Sequence, residues 1–427
     1  MRKKIAVIGS GISGLAAAWL LAQRHDITLY EAAPRLGGHT NTVHAGSHAV
    51  DTGFIVYNEA TYPNLVALFA HLGVATRASD MSFSVSQDDG KLEYAGTDLN
   101  GLFAQRSNII NPRFWLMLRD LIRFYRQAPE EKADDLSLGM FLERHHYGRA
   151  FIDDHLLPMA AAIWSAPAAK LLEYPAVSFI RFCENHGLLK FTDRPVWRSV
   201  VGGSDCYIPS LVNGFRDRIR LDCGVRRIAR FADHVMLEDR KGEKNRFDHV
   251  VIATHADQAL SMLDDPSTEE SYVLGKFRYN RNHVSLHHDT NLMPKRRAVW
   301  ASWNYLGRRP KDGAERQLAV TYWMNRLQDL PRAPDYFVTL NAPTAPCDAI
   351  QTEIVEHPLF DLKTLEAQKS LWGLQGKRRT WFCGAYCGAG FHEDGLQAGL
   401  LVAEKLGGLS RPWQLAAQTA RLPCEAA

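Results

Sequence analysis

The stretch from Lys4 to Thr40 constrains the fold more than any other part of this 427-residue chain. It reads KIAVIGSGISGLAAAWLLAQRHDITLYEAAPRLGGHT. Ile5 to Ile8 form a short apolar run, as a buried strand requires. Gly9, Gly11 and Gly14 follow at G-x-G-x-x-G spacing. Leu15 to Gln23 are good helix formers, and Ile27 to Tyr30 form a second apolar run that ends at Glu31. In such a unit the first glycine makes a tight turn, the second lets backbone approach a pyrophosphate, and the third lets helix and strand pack closely. The helix start, with Ser13 in its first turn, offers free N–H groups to phosphate. Glu31 lies at about the twenty-residue offset of an acid that binds a ribose hydroxyl. A purely structural glycine turn is the alternative, but it gives no reason for the strand, helix and distant acid to occur together.

The next residues narrow the dinucleotide. Arg35, Leu36, Gly37, Gly38, His39 and Thr40 follow Glu31 closely. This run resembles the R-x-G-G-R signature of the FAD-dependent amine oxidase superfamily, with His39 where that family has arginine. The resemblance implies an α/β chain, α+β overall. Its Rossmann-like FAD-binding domain is of the glutathione-reductase type. A substrate domain of antiparallel sheet plus helices is interleaved with it. FAD is expected to be non-covalent, because neither Cys383 nor Cys387 matches the thioether cysteine of some relatives. His39 either donates to a phosphate or caps the backbone.

Three later segments resemble the same superfamily. VDTGFIV places Asp51 and Gly53 where relatives pass near the isoalloxazine ring; a plain turn is the alternative for Asp51. IRLDCGVRRI places Val225 where the backbone of relatives touches adenine. TWFCGAYCGAGFHEDGLQAGLLVAE, from Thr380 to Glu404, resembles the C-terminal FAD motif. Gly384 matches it well. Ala385 and Tyr386 replace the usual acid, so Asp394 is the candidate for the ribityl contact. Gly395 is the candidate for the N–H that faces a flavin carbonyl.

These segments imply a discontinuous layout: residues 1–56, 200–260 and 376–410 for the FAD domain, 57–199 and 261–375 for the substrate domain, and 411–427 as a tail. The first excursion reads as mostly helical, with a hairpin about Asp88-Asp89-Gly90. The second reads as antiparallel strands carrying Trp300, Trp303 and Trp323, with Asn304, Tyr305 and Tyr322 beside them. As a group these aromatics predict the wall of a deep apolar pocket; singly each fits an ordinary core. Pro112 to Gln127 predicts a helix with Trp115, Leu118 and Ile122 on one face and Arg119, Arg123 and Arg126 on another. It is either a membrane-surface helix or an amphipathic helix with solvated arginines.

Composition removes other classes. The net charge of +3 gives no nucleic-acid signal. Seven scattered cysteines without C-x-x-C spacing predict a reducing, cytoplasmic setting, with peripheral contact at the inner membrane face as one reading. No run is long enough to cross a bilayer; Leu156 to Ala169 comes nearest, interrupted by Pro158 and Pro167. His287, His288 and Asp289 lack further ligands at metal spacing, so no metal is expected.

For chemistry, His392 is the first candidate base, with Tyr386 and Glu393 as neighbouring candidates. Hydrogen bonding inside the cofactor loop is the alternative for His392. The lysine that many amine oxidases hold near the flavin has no clear counterpart. GFHEDG, WASWNY and TYWMN (Gly390–Gly395, Trp300–Tyr305, Thr321–Asn325) resemble a narrower bacterial group, akin to the acyl desaturase of furan fatty acid synthesis. The expected function is therefore FAD-dependent removal of hydrogen from a hydrophobic or acyl-lipid substrate. A peroxide-producing amine oxidase and a non-catalytic flavin-binding redox or assembly protein are the alternatives.

Overall fold

The computed structural model describes residues 1–131, 135–164, 167–308, 318–331, 333–415 and 422. Two sheets organise it. The first is five-stranded and parallel, in the order Ile219–Arg220, Asp26–Tyr30, Lys4–Ile8, His249–Ile252, Thr380–Phe382. Strands buried on both faces carry continuous apolar runs, and Ile5 to Val7 and Val250 to Ile252 are fully buried. The helix Ile12–Ala22 lies between this sheet and the C-terminal helix His392–Gly407. Gly399 allows that approach, since a Cβ there would stand 2.1 Å from the Ser13 carbonyl oxygen.

The second sheet has seven strands, in the order Ala349–Leu359, Arg278–His287, Phe337–Leu340, Leu318–Trp323, Trp303–Gly307, Phe83–Gln87, Leu92–Ala95. All pairings are antiparallel except Trp303–Gly307 with Phe83–Gln87. The last two strands come from the first excursion of the chain, so both excursions build one sheet. Their hairpin turns at Asp88 and Asp89, both with positive φ, as a type I′ turn demands.

Helices between residues 99 and 185 pack on this sheet around Phe114, Phe124, Phe141, Phe151 and Phe179. The first excursion is thus mostly helical with the hairpin Phe83–Gln87/Leu92–Ala95, and the strands Tyr57–Asn58, Thr76–Ser79 and Trp197–Val200 are further additions. Most of the tail after residue 415, including Cys424, lies outside the described residues, as do Ser165 and Ala166 of the most apolar run. No helix among the described residues is long and apolar enough to cross a membrane.

One expectation about the helix Pro112–Gln127 is overturned. Its buried residues are Phe114, Met117, Asp120, Phe124 and Tyr125. Trp115 and Ile122 point outward, on the same face as Arg119 and Arg126, while Leu118 packs partly against the core. The arginines and the large apolar residues do not occupy separate faces.

Candidate functional site

A single cleft of ≈ 1190 Å³ runs between the two sheets. Ligand pockets are usually about 300–1,000 Å³, so this one has room for a dinucleotide and a second ligand. It opens at the carboxyl ends of the parallel strands, where doubly wound sheets bind ligands.

The glycine turn forms one end. Gly9 has φ +97°, and a Cβ there would crowd the Ala253 carbonyl at 2.9 Å. A Cβ on Gly14 would stand 1.9 Å from the Gly9 carbonyl oxygen. Gly11 differs: a Cβ there meets no protein atom within 4 Å and would project into the cleft. Gly11 is also the N-cap of the Ile12–Ala22 helix and has no side-chain cap bond. The first helical N–H groups therefore remain free for an anion. Gly37 bridges to Gly11, and Gly37 N donates to the Ser10 carbonyl at 3.0 Å, closing the cradle.

The acid is already partnered. Glu31 Oε2 accepts from Ser10 N at 2.8 Å and from Ser10 Oγ at 2.6 Å, and Oε1 accepts from Ala33 N at 2.8 Å. Arg35 donates to the carbonyls of Gly38 and Thr40 at 3.0 and 3.2 Å, which staples the glycine pair. Val225 and Gly224 line the cleft beyond Glu31. Gly9, Gly11, Ser13, Glu31, Arg35, Gly37, Gly38, His39, Gly53, Val225 and Gly384 thus share one continuous wall. Gly14 and Thr40 support it from behind. Thr40 Oγ1 shares a 2.6 Å hydrogen bond with Tyr207 OH.

Several expected roles are corrected. Asp51 does not line the cleft. It is fully buried and accepts from Thr42 Oγ1, Ser204 N, Ser204 Oγ and Gln328 Nε2, all within 2.9 Å. Burial raises its carboxyl to about 7 against the pull of the Thr42 and Ser204 bonds. It ties a hairpin to two distant segments. Asp394 accepts from Phe391 N at 2.9 Å and caps its own helix. Gly395 N donates to the Phe391 carbonyl, and a Cβ there would press on Ser13 and Ile12, so Gly395 serves helix packing. Glu393 is fully buried and accepts from Asn64 N, Asn64 Nδ2 and Leu65 N. It caps the helix Pro63–Leu72 rather than facing the cleft.

His392 does reach the cleft. Its ring stacks on Phe54 with centroids 3.9 Å apart, and its Nε2 shares a 2.9 Å bond with Tyr207 OH. Burial holds its pKa down to about 3. The stacking on Phe54 and the bond to Tyr207 make His392 part of the cleft wall, with a neutral imidazole. Tyr386 also touches the cleft, but its ring packs on Phe277 and beneath Gly384, and burial raises its phenol far above the ordinary range.

The tryptophan expectation divides. Trp303 and Tyr322 line the cleft. Trp300 and Trp323 form a separate cluster with Phe337, under the guanidinium of Arg297. In their place the cleft recruits Trp164 and Phe182 from helices, His186 from a helix end and Trp197 from the start of the strand Trp197–Val200. Sequence reading missed these four, and periodicity alone cannot distinguish them from core.

Polar groups missed in the sequence also meet here. Glu353 Oε1 accepts from Asn41 Nδ2 and Thr52 Oγ1 at 2.9 and 3.0 Å. His255 lies 3.4 Å from Glu356 and stacks on Tyr279, and His357 lies beside His39. His39 faces the open cleft although protein surrounds it, and desolvation is the main cause lowering its pKa to about 4. These residues are far apart in the chain, so no spacing reveals them. No cysteine and no lysine lines the cleft among the described residues. The described residues hold no cluster of metal-ligating side chains either.

The comparisons agree with this geometry. The model of flavin containing amine oxidoreductases matches residues 12–282, more than half of the chain. Probable polyamine oxidase 4 of Arabidopsis thaliana is 25% identical over 330 residues, 72% of this chain and 61% of that protein. The chain thus spans less than two thirds of that relative's length. Among solved structures, a CLA-producing fatty acid isomerase from P. acnes matches with TM-score 0.65 and 15% identity, over 95% of this chain and 98% of that one. Cyclohexylamine oxidase from Brevibacterium oxydans IH-35A matches with TM-score 0.63 and 16% identity, over 95% and 100%. These two likenesses establish the fold. The open Gly11 cradle, the free helix start and the cysteine-free wall fit a non-covalently held FAD. The chain belongs to the flavin containing amine oxidoreductase family.

Proposed function

We propose that this oxidoreductase removes hydrogen from a hydrophobic, acyl-type substrate. The observation that carries this reading is the lining of the cleft beyond the cofactor end. The segments around residues 81–83, 159–164, 182–197 and 303–322 contribute only apolar and aromatic side chains and His186 to it. A cationic amine needs a carboxylate or a comparable acceptor nearby. Of the two carboxylates on the strand Ala349–Leu359 that line the cleft, Glu353 already accepts from Asn41 and Thr52, and both lie outside these apolar segments. The lysine that the amine oxidase resemblance implies is absent from the cleft wall among the described residues.

FAD, when bound, supplies the acceptor for a hydride equivalent. The protein does the rest by placement. The Gly11 turn and the Ile12–Ala22 helix start would hold the pyrophosphate, Glu31 the ribose and Val225 the adenine. Phe54 and His392, stacked and tied through Tyr207 to Thr40, make a rigid floor at the junction of the two halves. Trp164, Phe182 and Phe391 pack ring to ring above it and keep water out. An apolar chain laid along this wall would be positioned by contact area, with no ion pair required.

The test is anaerobic reduction of the purified holoenzyme. Bleaching of the flavin by fatty acids or acyl phospholipids, and not by putrescine, spermidine or cyclohexylamine, is the expected result. Bleaching by the amines alone rejects the reading.

A further inference from the structure

The outward face of the helix Pro112–Gln127 is unusual for a surface in water. Trp115, Arg119, Ile122 and Arg126 follow one another at helical spacing and form a single stripe. All four are exposed, Trp115 by 49% and Ile122 by 41%, and Leu116 beside them by 47%. Ile110, just before the helix, is 83% exposed. It is held next to the stripe because Trp115 Nε1 donates to the Ile109 carbonyl at 2.8 Å. The helix has one carboxylate, Asp120. It is buried and accepts from Arg119 and Gly148 N. The exposed stripe therefore mixes large apolar groups with cations and carries no acid.

The patch continues to the mouth of the cleft. Phe191, 56% exposed, packs on Tyr125 of the same helix with centroids 5.2 Å apart. Lys190 and Arg194 flank it, with Asp193 the only acid in that loop. The ends of the loop, Leu188 and Trp197, are half-buried and line the cleft. An apolar and basic rim thus borders the cleft opening.

We propose that this face docks the protein on a lipid bilayer that carries anionic headgroups. Tryptophan and branched aliphatic side chains partition into the headgroup boundary, and arginines among them attract anionic lipid. The lack of exposed carboxylates on the stripe removes the repulsion that such a surface would otherwise meet. Docking on this face sets the 188–197 rim against the lipid, so a membrane-borne molecule could enter the cleft without crossing bulk water. The proposal concerns the surface and holds whichever substrate the flavin oxidises.

Flotation of the full-length holoprotein with vesicles of phosphatidylcholine and phosphatidylglycerol tests it. Binding to the mixed vesicles is expected, together with weak binding to pure phosphatidylcholine and release by high salt. Arg119→Gln with Arg126→Gln should weaken binding by about 10-fold or more, from ~1 kcal/mol per surface arginine. Ile110→Ser with Ile122→Ser should weaken it at all salt concentrations. Both double variants should keep wild-type flavin content, which separates loss of docking from loss of fold. Bromolipid quenching should be smaller in Trp115→Phe than in wild type. Failure of wild type to float, or equal flotation of the variants, overturns the proposal. So does a concentration-dependent dimer by light scattering that Ile110→Ser abolishes, because the face would then belong to a second copy of the chain.

Discussion

Glu31 Oε2 receives both donors of Ser10, the backbone N–H at 2.8 Å and the hydroxyl at 2.6 Å. The acid at the end of the second strand therefore fixes the glycine turn as well as lining the cleft. Glu31→Gln should weaken FAD binding and also lower the stability of the apoprotein, by about 1–3 kcal/mol for bonds to a charged group. Isothermal titration with FAD and urea unfolding of the apoprotein separate the two effects. Ser10→Ala should reproduce part of the stability loss; an unchanged apoprotein in both variants would show that the turn does not depend on this contact.

Gly11 is the glycine whose substitution should act on the ligand alone. A Cβ at that position touches no protein atom. Gly11→Val should fold and melt close to wild type, yet purify without flavin. A yellow Gly11→Val protein with normal flavin content contradicts the cradle described above.

Glu393 should behave as a structural residue. Its carboxylate accepts three hydrogen bonds at the start of the Pro63–Leu72 helix while fully buried. Glu393→Ala leaves Asn64 and Leu65 N–H groups without that acceptor, at a cost of about 3 kcal/mol. The expected sign is a lower melting temperature with unchanged flavin reduction per bound flavin. A large rate loss without a change in melting would place Glu393 in the chemistry.

Acid should destabilise the fold through two interior histidines. His287 Nδ1 accepts from Asp289 N at 3.0 Å and His155 contacts the hydroxyls of Tyr94 and Tyr125, and burial lowers both rings to about 4. An unfolded imidazole titrates near 6.5. Between about pH 4 and 6.5 the unfolded chain holds more protons, so stability rises with pH across this window and is lost as pH falls through it. Each ring contributes up to about 3 kcal/mol on that basis. Urea titrations at pH 7.5 and 4.5 should differ less in His287→Asn than in wild type.

The cofactor half of the site was readable because its requirements are local. A turn that must approach phosphate needs Gly9, Gly11 and Gly14 within six residues, and the helix that follows needs no other information. Gly384 and Val225 were placed through family resemblance, and both lie on the cleft. Asp51, Asp394 and Glu393 were misjudged for a common reason. A carboxylate beside a cofactor motif can face the ligand or cap a neighbouring helix, and the choice depends on partners such as Ser204 and Asn64, far away in sequence. The substrate half was less readable still. Trp303 and Trp300 are both expected there, but the strand begins only at Trp303, and Trp300 ends the turn Arg297–Val299 and packs on Trp323 and Phe337 instead. Trp164 and Phe182 reach it from helices and Trp197 from the strand Trp197–Val200, where local periodicity marks them simply as apolar.

The central strand Lys4–Ile8 takes one of its two partners from residues 249–252, and the loop that carries Gly384 follows a strand that pairs only with that partner. On a ribosome the glycine turn emerges well before residues 249–252 and 380–382 and waits for them before its sheet can close. Pairings this distant form late and slowly. Flavin content should therefore report whether residues 249–252 and 380–384 have joined the glycine turn in one closed sheet.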